Sequence, residues 1–363
     1  MSDRLGKDQV AALLGWFAAR QRSLPWRMAP AGQRPPYAVW VSEIMLQQTR
    51  VEVVVPYFEA WMRSFPTVEA LAEASEDEVL RHWAGLGYYR RARFLHRAAQ
   101  ELVAAGARGQ GGAAWPQSAA AWAELPGIGE YTAAAVASLS CGEAAPVVDG
   151  NVKRVVARCA GLELASDTRA LHRESAAWMA AAMELLPKAE GPGAWNEAVM
   201  ELGATVCTPR SPACAACPVA DGCHINDGRG PEDAARLAEA YPLPPKAKNW
   251  IELELVYGLA ACPQEGGVLL VQRIEGWNPG LWEPPSLVRE SSGASPEDLQ
   301  AAWQGSGAPG QLGEELGVVR HTITRHKIQA RVHLLETPAD TAYQDPSQVG
   351  LTGLARKILR RWV

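Results

Sequence analysis

The sequence lacks a run of 18 apolar residues, and that excludes a membrane-spanning helix. It also lacks the basic-then-apolar opening of a secretory signal, because the chain starts MSDRLGKDQV. The expectation is a cytoplasmic protein. An excess of positive charge is missing too. Lys and Arg total 35 against 40 Asp and Glu, a formal net charge of −5. Residues 1–230 hold 22 basic against 24 acidic side chains, and residues 231–363 hold 13 against 16. Bulk charge therefore does not announce a nucleic-acid partner, and any such partner must be met by local patches. What is present is a core-forming composition, 48% apolar over 363 residues. That length and apolar content fit two or three domains and exclude a disordered chain.

Residues 5–225 read as mostly helical. LGKDQVAALLGWFAARQR, VEALAEASEDEVLRHWAGLG, RARFLHRAAQELVAAG and YTAAAVASLS follow the 3.6 period, with Gly and Pro at the junctions. Ser75, with Glu78 three residues on, has the form of a helix start. Residues 226–249 are polar, end in PLPPK, and read as an interdomain linker. Beyond them WIELELVYGLAAC, GGVLLVQR and QARVHLLE are β-rich, and LTGLARKILRRW is a closing helix, so 250–363 reads as an α+β domain.

Four of the seven cysteines, Cys207, Cys214, Cys217 and Cys223, follow the spacing C-x6-C-x2-C-x5-C. In a reducing compartment so tight a cluster argues for a metal rather than disulfides. Structural zinc more often uses two C-x2-C pairs, and one compact thiolate loop suits an iron–sulfur cluster; the spacing leaves both open.

LPGIGEYTAAAVASL sets Gly127 and Gly129 just before a helix. Such a turn exposes amide N–H groups that can take a phosphate oxygen, and equally serves a tight turn between packed helices. Glu43 lies among Val39, Trp40, Val41, Ile44, Met45 and Leu46. Facing that lining, its carboxyl is expected to keep a proton near neutrality and serve as a general acid; facing out, it is a first-turn glutamate complementing the helix dipole. Asp149, in PVVDGNVKRVVARC, reads as an N-cap. Amide donors are expected to depress its pKa and keep it ionised beside a developing oxocarbenium ion. One protonated and one ionised carboxylate can break a glycosidic bond. Arg81, Arg90, Arg91, Arg93 and Arg97 form either a phosphate-facing strip or a solvated helix face.

Together these segments resemble the helix-hairpin-helix DNA glycosylase superfamily, and within it the A/G-specific adenine DNA glycosylase (MutY) family. The residues carrying the resemblance are LPWR (24–27), VWVSEIMLQQTRVEVVVPYF (39–58), GLGYYRRAR (85–93), LPGIGEYTAAAV (125–136), VDGNVKRV (148–155), NEAVMELGATVC (196–207), the four-cysteine loop and GLWEPP (280–285). The resemblance implies a helix-hairpin-helix part at about 31–140, and an iron–sulfur part at about 1–30 and 141–225 that holds a [4Fe-4S] cluster. It implies a Nudix-like C-terminal domain. The activity implied is removal of adenine mispaired with 8-oxoguanine or guanine in duplex DNA, by a monomer.

By the same resemblance, Glu43 protonates the flipped adenine at N7, Asp149 stabilises the oxocarbenium sugar, and Asn151 helps position the water or intermediate. Tyr131 lies beside the anomeric carbon. Trp26, Arg27, Leu46 and Glu197 shape the adenine pocket, and Gln48 and Tyr88 wedge into the duplex. Related lyases carry a lysine nucleophile two residues after the second hairpin glycine, where this chain has Tyr131, so a glycosylase without lyase activity is expected. In the C-terminal domain QLGEELGV (311–318) is the nearest stretch to the metal-binding run of a Nudix hydrolase and lacks its upstream Arg-Glu pair, so no metal is expected there. VRHTITRHKI (319–328) takes the place of the lesion-reading loop, with His321 and Thr324 as hydrogen-bonding groups, although it departs from the usual Phe-Ser-His. Two other readings stay open: a lesion-binding protein without catalysis, and a nucleotide pyrophosphohydrolase in the C-terminal domain.

Overall fold

The computed structural model describes residues 5–107, 113–245, 249–262, 266–289, 295–323 and 325–363. Internal contacts divide the chain into two units, one of residues up to 82 and 91–246, the other of 83–90 and 247–363. Among the described residues no helix is long and apolar enough to cross a membrane.

The first unit is helical: α1 (Lys7–Arg20), α2 (Pro36–Leu46), α3 (Val51–Ser64), α4 (Val68–Glu73), α5 (Glu76–Trp83, whose last residue falls in the second unit), α6 (Arg90–Ala107, whose first residue does too), α7 (Ala119–Ala123), α8 (Glu130–Ser140), α9 (Gly150–Ala160), α10 (Arg169–Met183), α11 (Pro192–Thr205) and α12 (Pro231–Ala238). Helix starts follow local chemistry. Ser75 Oγ accepts the amide of Glu78 at 3.3 Å, and Pro36 and Pro192 sit in first turns, where a missing N–H costs nothing. α2 is buried on nearly every side, from Tyr37 to Met45, so its glutamate goes inside with the rest of the helix. One core joins Val10, Leu13, Leu14 and Phe17 of α1 to Val152, Val155 and Val156 of α9 and to Trp195, Val199 and Leu202 of α11.

The stretch read as a linker, 226–249, is ordered differently. It contains α12, which buries Ala234 and Ala238 against Ile225, beside Cys214 and Cys223. Leu243 bridges to Ala165, and the change of unit falls at 246/247. The signals were local: Pro231 opens the helix and Glu232 and Asp233 fill its first turn. A two-alanine stripe is too weak an apolar signature to be read without its packing.

The second unit holds a mixed sheet of order β4-β1-β6-β5, from β1 (Ile251–Leu259), β4 (Ser286–Arg289), β5 (Gln311–Ile323) and β6 (His326–Glu336), and a two-stranded pair, β2 (Val271–Gln272) and β3 (Trp282–Glu283). β1 runs parallel to β6, and the other pairs are antiparallel. Alternation along β1 sends Leu255, Tyr257 and Leu259 to the face covered by α14 (Gly353–Trp362), and Val256 to the face where Trp303 of α13 (Pro296–Gly305) packs. The unit is thus α+β, with a helix on each sheet face. QLGEELGV lies in β5, where Glu315 pairs with Arg331 at 3.1 Å. Within 319–328, β5 ends at Ile323, which pairs with His326, the first residue of the antiparallel β6. His321 is half-buried on β5, while Thr324 lies outside the described residues.

Candidate active site and cysteine loop

Glu43 is 6% exposed, which decides between its two sequence readings in favour of the buried one. The Tyr131 hydroxyl donates to its Oε2 at 2.9 Å and also reaches Met200 Sδ at 3.7 Å. Burial raises the Glu43 pKa from 4.5 to about 7. The negative charges of Glu197 and Asp149 push the same way, while the Tyr131 hydrogen bond and the Arg27 charge oppose it. Arg91 fixes the end of α2: its NH1 donates to the carbonyls of Ile44, Met45 and Gln47 at 2.8, 3.1 and 2.6 Å. Arg91 is therefore a helix cap. Arg93 pairs with Glu76, and Arg97 pairs with Glu101 on the surface.

Asp149 caps α9. Its Oδ1 accepts the Val152 amide at 2.7 Å, and its Oδ2 accepts Asn151 Nδ2 at 2.9 Å. Behind it, Arg154 NH2 donates to Asn151 Oδ1 and to the Gly203 carbonyl, both at 2.8 Å, while its Nε donates to the Cys207 carbonyl at 2.8 Å. The expectation of a depressed pKa is corrected. Burial outweighs the amide donors and Arg154, and the Asp149 pKa lies above its ordinary value.

Glu197 is locked in a buried ionic network. Arg34 grips it with NH1 to Oε1 at 2.7 Å and NH2 to Oε2 at 2.8 Å, and Arg27 Nε adds a bond to Oε1 at 2.9 Å. Arg27 NH2 continues to Glu201 Oε2 at 3.0 Å, and Arg22 Nε meets Glu201 Oε1 at 2.7 Å. Trp26 is buried edge-on against Phe58. Leu46 is half-buried at the end of α2.

Gln48 and Tyr88 are exposed residues in left-handed backbone, with φ of 56° and 48°. Strain of that kind, of order 1–3 kcal/mol per non-glycine residue, tends to collect at functional sites. The hairpin turn between α7 and α8 needs its first glycine: Gly127 has φ 76°, and a Cβ there would stand 2.4 Å from Phe94 Cβ. Gly129 caps α8 with open space around it.

Sequence reasoning passed over Arg22, Arg34, Glu201 and Arg154. Glu201 stands one helical turn after Glu197, and Arg154 three residues after Asn151, so helical spacing offered both. Nothing local marks Arg34, which meets its partner across 163 residues.

The four cysteines line one cavity, with about 430 Å³ of atom-free space, solvent included. Cys207 follows α11, and short 3₁₀ turns at Cys214–Ala216 and Ala220–Gly222 carry the other three. Among the described residues no three His, Cys, Asp or Glu side chains are arranged to hold a single metal ion. Four thiols of one short loop around a cavity of that size suit a multi-atom cluster. Arg158 adds an independent test. It is 2% exposed, and none of its described partners is a carboxylate. Its donors go to the carbonyls of Thr208 (2.7 Å), Tyr241 (3.1 Å) and Pro209 (3.2 Å), and to Cys207 Sγ (3.3 Å). A buried cation needs a counter-charge, and thiolate ligands supply it. The residues fit the group.

Comparison with known proteins agrees. Residues 41–180 match the family described as HhH-GPD superfamily base excision DNA repair protein, and residues 207–223 match the iron-sulfur binding domain of endonuclease III. A solved thermostable thymine-DNA glycosylase is similar over 61% of this chain and 95% of its own, with 27% identity and a TM-score of 0.50. The fold and the cysteine loop thus define a helix-hairpin-helix base-excision glycosylase carrying a [4Fe-4S] cluster. The human adenine DNA glycosylase is 35% identical over 91% of this chain and 68% of its own length. The Mycobacterium tuberculosis (strain ATCC 25618 / H37Rv) adenine DNA glycosylase is 40% identical over 63% of this chain and 72% of its own. The chain belongs to the adenine DNA glycosylase family, and is a monofunctional DNA glycosylase of base excision repair.

Proposed function

We propose that this enzyme, acting as a cytoplasmic monomer, flips out and excises adenine mispaired with 8-oxoguanine or guanine in duplex DNA. The observation that carries the reading is the Glu43 carboxyl, buried and hydrogen-bonded to Tyr131, where burial pushes its pKa up to about 7. Such a group can give its proton to N7 of a base turned out of the stack. General-acid catalysis of this kind contributes about 10²–10⁴-fold. As the base departs, positive charge grows on the sugar. Asp149, held by Val152 N–H and Asn151, is the fixed negative partner, and its affinity for a proton falls as that positive charge appears. Tyr131 sits beside the anomeric carbon, and Asn151 positions the water or intermediate. Arg27, Glu197, Trp26 and Leu46 form the adenine pocket, while Gln48 and Tyr88 fill the gap left in the duplex. Gly127 and Gly129 present amides to a phosphate.

The second unit is read as Nudix-like, with His321 of β5, and Thr324, meeting the base opposite adenine. The helix on each sheet face supports that reading.

The test is single-turnover excision by wild type and Glu43→Gln on duplexes carrying adenine opposite 8-oxoguanine, guanine, cytosine or thymine. Wild type is expected to prefer the first two. Because the acid must hold its proton, kcat/KM falls as pH rises through about 7. Glu43→Gln keeps DNA affinity and loses excision; excision at the wild-type rate overturns the mechanism.

A further inference from the structure

Asp149 is held by its own helix, and the start of that helix must be held in turn. The bonds that Asp149 accepts, from the Val152 amide and from Asn151, lie within the first turn of α9. They fix the carboxyl on α9 and leave the place of α9 itself open. The chain reaches Asp149 through residues 142–148, which belong to no helix or strand. Buried backbone groups in such a segment need partners from elsewhere.

Asn196 supplies them. It is 0% exposed and stands one residue before Glu197 on α11. Its Oδ1 accepts the Val147 amide at 3.1 Å, and its Nδ2 donates to the Ala145 carbonyl at 2.9 Å. Those two groups flank Pro146, which has no N–H of its own. One side-chain amide thus gives 145–147 the pair of bonds that a neighbouring strand would give. Nδ2 also donates to Ser138 Oγ of α8 at 2.9 Å. Only this orientation of the amide satisfies all three groups; turned over, it would set an N–H against the Val147 amide.

Three elements of the site therefore meet at one buried side chain. α8 carries Tyr131, which is bonded to Glu43. α11 carries Glu197, and the clamped segment ends two residues short of Asp149. We propose that Asn196 is a positioning residue for Asp149: it ties the start of α9 to α8 and α11, and so sets where the Asp149 charge stands relative to Glu43 and the adenine pocket. Asn196 touches neither base nor sugar. The inference rests on the reading of Asp149 as partner of the oxocarbenium sugar. A misplacement of about 1 Å at a reacting centre costs on the order of 10²-fold in rate.

The experiment measures single-turnover excision of mispaired adenine, and DNA affinity beside it, for wild type, Asn196→Leu, Asp149→Asn and the double variant. Leu matches Asn in outline, so it fills the space and clamps nothing. Asn196→Leu is expected to slow excision about 10–100-fold and to keep DNA affinity. In the Asp149→Asn background it is expected to cost nothing further, because the group it places is already lost. Wild-type excision by Asn196→Leu overturns the proposal, and so does its full loss repeated in the double variant. Wild-type excision by Asp149→Asn is a separate failure: it removes the role read for Asp149, and this proposal with it.

Should Asn196→Leu fail to fold, Asn196→Asp decides the matter. A protonated carboxyl keeps an acceptor for Val147 and a donor for Ala145, whereas an ionised one sets a charge against the Ala145 carbonyl. Its excision rate is divided by that of wild type at each pH, which removes the Glu43 titration common to both. The ratio is expected to fall as pH rises. A ratio of one throughout overturns the proposal.

Discussion

Glu43 holds its proton at the expense of stability, and the trade can be measured. In the unfolded chain its pKa is the ordinary 4.5, and in the folded protein burial lifts it to about 7. A group whose folded pKa is raised binds protons more tightly in the native state. Its contribution to stability is full below pH 4.5, declines through the window between the two values, and is gone above about pH 7. At roughly 1.4 kcal/mol per pH unit, that gap is worth about 3 kcal/mol. Glu43→Gln removes the titration and leaves an amide oxygen for Tyr131 to donate to. The amide's own N–H groups cost something once buried, but equally at every pH. The expected result is therefore a slope: between about pH 4 and about pH 8.5, the unfolding free energy of Glu43→Gln gains about 3 kcal/mol on that of wild type. The assay is urea denaturation of both proteins across that range. A difference that stays flat with pH, or that favours wild type as pH rises, refutes the claim that this carboxyl pays for its proton in stability.

The remaining predictions concern its surroundings. Arg154→Met breaks the bridge from the Cys207 and Gly203 carbonyls to Asn151, the residue that holds Asp149. At about 1.5–3 kcal/mol for a charge-assisted bond, single-turnover excision should slow about 10–100-fold, and an unchanged rate would show the bridge idle. Arg34→Met strips the buried Glu197 of its bidentate partner and should cost about 3–5 kcal/mol in denaturation; a loss under about 1 kcal/mol would mean that Arg27 alone suffices. Gly127→Ala forces a Cβ against Phe94 in left-handed backbone and should cost about 2 kcal/mol or more, read by the same denaturation measurement.

Much of this was legible in the chain. The Ser75 helix start, the 3.6 period of the first unit and the alternating strands of the second are local signals, and local structure follows them. The buried face of Glu43 was one of two readings, because a glutamate in an apolar run can turn either way until the partner helix is known. Other features were misread for physical reasons. Arg91 looks like any helix cation in sequence, and only the carbonyl ends of α2 make it a cap. The helix α12 hides in a polar stretch because two alanines suffice to pack it. The Asp149 donors were foreseen, but the depth of its burial, which outweighs them, was not.

By itself the sequence determined the order of the helices, the four-cysteine spacing, the family to which the chain belongs and the residue types available for chemistry. These depend on neighbours within a turn or two of helix, or on motifs read whole. Only the tertiary structure decided which groups meet: Tyr131 with Glu43, Arg34 with Glu197, Asn196 with the segment before Asp149. Proton affinity and charge pairing depend on desolvation and on distances of a few ångströms between residues far apart in the chain, and neither is written in any single stretch of it.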